Sequence, residues 1–117
     1  MRKSVVVGLA LALGVVACCV GSREAGAASA ENGKALFLKI GCYQCHGTQG
    51  QGAITGPRLA PDPLPFETLS AFVRTTSGQM PPFHTKVLSD ADLADIYAYL
   101  QSIPKPPDVK DLPQLNP

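Results

Sequence analysis

The sequence has few of the side chains from which catalytic and metal sites are usually built. Its 117 residues include two histidines, two methionines, four cysteines and no tryptophan. No carboxylate pair or Ser-His-Asp set stands out, and the glycine-rich stretch 47–56 lacks the Lys-Ser/Thr ending of a phosphate loop. These absences argue against chemistry on a bound substrate.

An excess of charge is also missing. The whole chain carries a formal net charge of +1, and residues 31–117 hold seven Lys or Arg and eight Asp or Glu, which gives −1. Nucleic acids and anionic membrane surfaces attract strongly basic proteins. Neither is therefore a predicted partner.

There is one long apolar run, over residues 5–20, and it follows a basic pair at positions 2 and 3. Small residues occupy positions 25–30 after it. This layout predicts that residues 1–30 are a secretory signal peptide, cleaved between Ala27 and Ala30, so that the protein is exported to the periplasm. A permanent membrane helix is less favoured, because the run is short for a span and contains two glycines.

A second form of processing stays open. Residues 15–18, Val-Val-Ala-Cys, resemble a bacterial lipobox, and cleavage there would make Cys18 a lipidated N-terminus. A lipid would turn a diffusing protein into one anchored to the membrane. The other interpretation is that Cys18 and Cys19 are small apolar residues of the leader.

The strongest motif is the Cys-Tyr-Gln-Cys-His stretch of residues 42–46. Cys42 and Cys45 have the spacing with which two thiols attach one haem covalently, and His46 then lies beneath the iron as an axial ligand. A zinc site would need a second ligand pair, and a thioredoxin-type site would lie in a βαβ pattern. Neither pattern is visible in the sequence.

A low-spin haem iron needs a second axial ligand, commonly a methionine sulfur. Apart from Met1, the chain has only Met80, in a Gly-Gln-Met-Pro-Pro segment where glycine allows close backbone approach and the prolines stiffen the chain. We therefore predict that His46 and Met80 are the iron ligands. His84 is the rival sixth ligand, and we interpret it as a surface residue.

These motifs, together with Gly-Pro-Arg-Leu at 56–59 and an apolar last helix ending at residue 100, resemble class I c-type cytochromes. Small bacterial monohaem proteins and cytochrome subunits of periplasmic dehydrogenases are the nearest types, over residues 31–103. The resemblance implies a small all-α fold with three main helices around one covalently bound haem c. It also implies that the Pro57 carbonyl accepts a hydrogen bond from the axial imidazole, that Leu59 packs on the haem, and that Gly33 and Phe37 meet residues 96–99.

The apolar spacing predicts where the main helices lie. The first covers residues 31–40 with Asn32 as its N-cap, the second covers 66–75, and the last begins after Ser89. The predicted buried positions of the second and last helices are Leu69, Phe72, Val73, Leu93, Ile96, Tyr97 and Leu100. The proline-rich tail, residues 104–117, is predicted to be extended instead of helical. It is either a strap that lies along the domain or docks onto a partner subunit, or a disordered end.

With both axial positions filled, the remaining task of the haem is one-electron transfer. The predicted function is a periplasmic electron carrier that accepts electrons from a dehydrogenase and passes them to a respiratory chain, with an oxidase or another cytochrome as acceptor. It is not predicted to be an enzyme, although it could be the cytochrome subunit of an oxidoreductase complex. The alternative is a haem sensor or peroxidase-like protein in which Met80 dissociates.

Overall fold

The computed structural model describes residues 27–115. Residues 1–26 of the leader predicted over residues 1–30, with Cys18 among them, lie outside the described residues. The described chain forms four α-helices: α1 (Ala30–Ile40), α2 (Tyr43–His46), α3 (Phe66–Thr75) and α4 (Asp90–Ser102). No strand occurs in this part of the chain, which has only an isolated bridge between Ala53 and Gly56. The predicted all-α class with three main helices is confirmed.

Helix α1 begins one residue earlier than the apolar spacing indicated. The Ser29 hydroxyl accepts a hydrogen bond from the Asn32 backbone N–H at 3.1 Å and so caps the helix. The prediction of Asn32 as N-cap is therefore wrong. The Asn32 side chain instead donates to Asp95 Oδ2 at 2.6 Å, a partner 63 residues away that the local sequence does not reveal.

Helices α1 and α4 cross at Gly33, which is buried. A methyl group on Gly33 would collide with the backbone oxygen of Asp95, so the crossing needs a residue without a side chain. One turn later the Phe37 ring, fully buried, packs against Tyr99 with a centroid separation of 5.7 Å. The predicted meeting of Gly33 and Phe37 with the last helix is confirmed.

The core lies where α1, α3 and α4 converge. On α4, the prediction that Tyr97 is buried is wrong: the buried tyrosine is Tyr99. Tyr97 is only partly buried, and its ring packs edge-on against Phe66 with a centroid separation of 5.3 Å. On α3, Leu69 and Val73 are buried as expected, whereas Phe72 is 57% exposed. The buried apolar residues are Phe37, Ala60, Leu69, Val73, Leu88, Leu93, Ile96, Tyr99 and Leu100.

The tail contains helical turns, so the prediction of a tail without helix is wrong for residues 109–111 and 113–115. Residues 104–108 have no helix, but Val109–Asp111 and Pro113–Leu115 each form one turn of 3₁₀-helix. Proline prevents an extended α-helix, whereas a single 3₁₀ turn needs only i to i+3 hydrogen bonds. Here Asp111 N–H donates to Asp108 O at 2.9 Å. An exposed ion pair between Lys105 and Asp62 at 2.9 Å joins the start of the tail to the domain.

Candidate functional site

A cavity of about 890 Å³ opens between the motif at residues 42–46 and the segment that carries Met80. Its walls are mostly apolar, and they bring together residues that are far apart in sequence. Pro57, Leu59 and Phe72 are among them, and Phe72 is exposed because its ring faces this space. Every predicted site residue lines the cavity: Cys42, Cys45, His46, Pro57, Leu59 and Met80.

The two cysteines are presented by a tight turn that leads out of α1. Gly41 ends that helix with φ 93°, a left-handed conformation that glycine adopts without strain. The short helix α2 follows, in which His46 N–H donates to Cys42 O at 3.0 Å. Cys42 and Cys45 thus lie about one turn apart and both line the cavity, as covalent attachment of one flat ligand requires.

The axial candidate His46 is buried, with 7% of its surface exposed, and its orientation is fixed from behind. Its Nδ1 lies 2.8 Å from the carbonyl oxygen of Pro57. Because a carbonyl oxygen can only accept, Nδ1 carries the proton and Nε2 keeps its lone pair for a metal. A hydrogen bond of this kind fixes ring orientation and strengthens the imidazole as a donor. Pro57 has the position that the sequence predicted for it.

The loop behind His46 is folded tightly by backbone hydrogen bonds. Gly52 N–H donates to His46 O at 2.8 Å, and Gly50 O accepts from Leu59 N–H at 2.7 Å. A methyl group on Gly56 would lie 2.5 Å from Cys45 O and 3.0 Å from His46 Nδ1. The chain can therefore pass behind the imidazole only because residue 56 has no side chain.

Met80 is partly buried and packs against the core at the cavity wall. His84 is exposed and does not line the cavity. The segment that contains Met80 ends at Phe83, whose backbone N–H donates to Val73 O at 2.9 Å. Of the two candidate sixth ligands, only Met80 faces the same space as the cysteines.

Sequence reasoning missed Arg74, which joins three elements beside the Met80 segment. Its guanidinium donates to Phe83 O at 2.6 Å and to Asp90 Oδ1 at 2.7 Å. In the sequence, Arg74 is a basic residue in the last turn of a helix, which is common because it complements the helix dipole. The only sequence signal for a role of Arg74 at the site is that it precedes Met80, the only internal methionine.

The donor set fits a porphyrin better than a bare metal ion. Among residues 27–115 there is no group of three or more His, Cys, Asp or Glu side chains placed to bind a metal. Burial raises the pKa of the Cys42 thiol. A wide apolar cavity with two thiols and one oriented imidazole matches a flat ligand that is attached at its edge.

Comparison with known proteins agrees with this geometry. The family model described as "Cytochrome C oxidase, cbb3-type, subunit III" matches residues 28–100. The chain is also 31% identical over 80 residues to the cbb3-type cytochrome c oxidase subunit CcoP of Helicobacter pylori, an alignment that covers 62% of this chain. It spans only 27% of the length of that relative. No solved structure matches.

Proposed function

This chain belongs to the family described as cbb3-type cytochrome c oxidase subunit III, a family of c-type cytochrome domains, and on that basis we propose that it is an exported one-electron carrier with His46 and Met80 as iron ligands. Its cofactor is haem c, and Cys42 and Cys45 are the residues spaced to bind it. The observation that carries the proposal is that an oriented imidazole and the only internal methionine line the same apolar cavity.

The chain's own residues prepare the site for electron transfer. Haem c supplies a one-electron ferric–ferrous couple when bound. Cys42 and Cys45 would hold the haem through thioether bonds, and apolar residues such as Leu59 and Val73 would shield it from water. The Pro57 carbonyl holds the His46 ring. A site that is fixed before and after the transfer needs little rearrangement, which favours fast exchange of electrons.

The nature of the second ligand decides between carrier and enzyme. A thioether sulfur at the sixth position raises the reduction potential relative to a second histidine, and it leaves no open position for oxygen, peroxide or another reactant. Met80 is the only methionine of the described chain, and it lines the cavity while His84 does not. These facts support a function in electron transfer without substrate chemistry.

The partners follow from the same reasoning. The relative CcoP is named as an oxidase subunit, which supports an oxidase or another cytochrome as electron acceptor; a dehydrogenase is the proposed donor. The haem c cofactor and the leader predicted over residues 1–30 support a location in the periplasm. Within residues 27–115, no helix is both long and apolar enough to span a membrane.

Replacing Met80 with alanine tests the ligand assignment. We expect Met80→Ala to abolish the sulfur-to-iron absorption of the ferric protein and to lower the potential by more than about 59 mV, which corresponds to a tenfold change for one electron. His84→Ala is the matched control and should leave both properties unchanged, because His84 is exposed and outside the cavity. An unaltered potential in Met80→Ala would refute the assignment.

The second candidate is a haem sensor or peroxidase-like protein in which Met80 dissociates. It is favoured by the exposure of Ser77, Gly78 and Gln79, where a methyl group on Gly78 would have no neighbour within 4 Å. Carbon monoxide distinguishes the two functions, because it binds ferrous haem only where a coordination position is free. Slow binding to the reduced protein supports the carrier, and prompt binding supports the sensor.

A further inference from the structure

The segment that carries Met80 has little support of its own. The N–H of Thr76 donates to Phe72 O at 2.9 Å as the last bond of α3, and the next backbone bond along the chain is made by Phe83. Residues 77–82 make no hydrogen bond within the described chain. Pro81 and Pro82 restrict the backbone but have no N–H group with which to bind it to the domain. The position of Met80 therefore depends on how the two ends of this segment are held.

The C-terminal end of this segment is held at Phe83, through the backbone N–H and the carbonyl group of that residue. Its N–H donates to Val73 O at 2.9 Å, and its carbonyl oxygen accepts from Arg74 Nη1 at 2.6 Å. Val73 and Arg74 are consecutive residues of α3, so the segment returns to the helix from which it departed. The loop is thus closed by two hydrogen bonds, of which one comes from a side chain.

The second nitrogen of the same guanidinium reaches a different element. Arg74 Nη2 lies 2.7 Å from Asp90 Oδ1 at the first residue of α4. The Arg74 side chain is only 17% exposed, whereas that of Asp90 is 78% exposed. An ion pair with so exposed a partner contributes little by itself. The ion pair orients the guanidinium. The hydrogen bond to the Phe83 carbonyl is the one that holds the end of the Met80 segment.

From this arrangement we propose that Arg74 is a positioning residue for the sixth ligand: by holding Phe83, it keeps Met80 at the haem iron. The proposal rests on the proposed function, because it assumes that Met80 is a ligand. The fork geometry of arginine is required, since a lysine ammonium has a single nitrogen with which to reach both Phe83 O and Asp90. Weakening this bond frees the loop, so the sulfur leaves the iron more often while the helices stay folded.

The test uses the holoprotein and two readouts, the rate of carbon monoxide binding to the reduced form and the sulfur-to-iron absorption of the ferric form. Arg74→Lys should bind carbon monoxide about tenfold faster than the wild type, as expected from the loss of one hydrogen bond to a charged group. Asp90→Ala removes the oxygen that orients the guanidinium and should cause a smaller acceleration in the same direction. Lys110→Gln is the control, because it breaks an exposed ion pair with Asp108 in the tail, far along the chain from the haem residues.

The outcomes separate this proposal from the proposed function. If Met80→Ala binds carbon monoxide quickly while Arg74→Lys behaves as the wild type, the positioning role is refuted and the ligand assignment stands. If the wild type already binds as fast as Met80→Ala and lacks the sulfur absorption, the proposed function itself is wrong. Should Arg74→Lys fail to accumulate as a folded holoprotein by circular dichroism, Asp90→Ala takes its place as the test variant. A wild-type rate of carbon monoxide binding in Asp90→Ala then overturns the proposal.

Discussion

At the scale of single residues, the orientation of His46 depends on a neighbour without a side chain. A methyl group on Gly56 would lie against Cys45 O and His46 Nδ1, whereas a methyl group on Gly78 would have no neighbour within 4 Å. Both glycines line the same cavity, so they form a matched pair for substitution.

We expect Gly56→Ala to destabilise the holoprotein by about 1–3 kcal/mol, the usual cost of inserting a methyl group into a packed region. The displaced imidazole should also shift the reduction potential. Gly78→Ala should change the free energy of unfolding by no more than about 0.5 kcal/mol, as is usual for surface positions. Denaturant unfolding followed by haem absorbance measures both variants, and equal effects of the two would contradict the steric argument.

Tyr99 gives the stability a pH dependence. Burial raises the pKa of its hydroxyl above the ordinary value of 10.0, and the hydroxyl donates to Thr48 O at 2.9 Å. The folded state therefore holds this proton more tightly than the unfolded state does. The stabilisation is complete below pH 10.0 and is lost as the pH rises through the folded pKa.

Tyr99→Phe should remove this alkaline loss, so that the free energy of unfolding falls less steeply above pH 10.0. At neutral pH the variant should be less stable by about 1 kcal/mol, because the hydrogen bond to Thr48 is gone. Tyr97→Phe is the control for the loss of a tyrosine hydroxyl from α4 that does not bond to Thr48. An identical slope in Tyr99→Phe and the wild type would show that the Tyr99 hydroxyl does not cause the loss.

Several single-residue roles could be predicted from the sequence, and the exceptions have a common cause. Cys42, Cys45 and His46 form a contiguous motif, and Pro57 belongs to a recognisable element, so their places follow from local spacing. Arg74 could not be identified in this way, because its role depends on Phe83 and on Asp90, 16 residues away. Local patterns reveal which residue types are present, but not which distant carbonyl a long side chain reaches.

At the scale of elements, the crossing of α1 and α4 leaves no room for a side chain at Gly33. Gly33→Ala would gain up to about 1 kcal/mol of helix propensity. The new methyl group would, however, meet the backbone of Asp95, which is part of a rigid helix. We expect a net loss of stability of about 1–3 kcal/mol, because overpacking against backbone is not relieved by a rotamer change.

Thermal unfolding of the holoprotein measures this effect, with Lys34→Ala at the next, exposed position as the control for helix propensity. A melting temperature for Gly33→Ala at or above that of the wild type would contradict the close crossing.

The sequence predicts the three main helices well, but it predicts the start of α1 and the buried face of α4 less well. The 3.6-residue spacing located α3 at residues 66–75, where the structure has it. It selected Tyr97 as a buried position, whereas Tyr99 is the buried tyrosine because its ring packs against Phe37. The cap at Ser29 was missed for a related reason. Ser29 and Asn32 both suit an N-cap, and the contact of Asn32 with Asp95 is visible only in three dimensions.

At the scale of the whole molecule, the N-terminal network bears on the predicted cleavage site. Ser29 caps α1, and its own backbone N–H donates to Asp95 Oδ1 at 2.7 Å. Cleavage after Ala30 would remove Ser29 and put a positively charged terminus at the N-terminal end of α1, where the helix dipole is already positive. Cleavage after Ala27 keeps the network intact.

We therefore expect intact-mass measurement of the exported holoprotein to give the mass of a chain that begins at Ala28 and carries one haem. A chain that starts at an acylated Cys18 would also keep Ser29, and its lipid would be evident in the same spectrum. Versions made to start at Ala28 and at Glu31 provide the control, and the shorter one should be less stable by about 1 kcal/mol, the usual value of an N-cap. A natural mass that begins at Glu31 would contradict the expectation.

The contact between Ser29 and Asp95 joins residues 66 positions apart, and the Gly33 crossing joins the same two helices. Because a polypeptide is made from its N-terminal end, α1 has no α4 to pack against until almost the entire domain has been made. On the proposed export, the thiols at positions 42 and 45 would therefore emerge on an open chain. We expect attachment of the haem to precede the packing of α4 against α1.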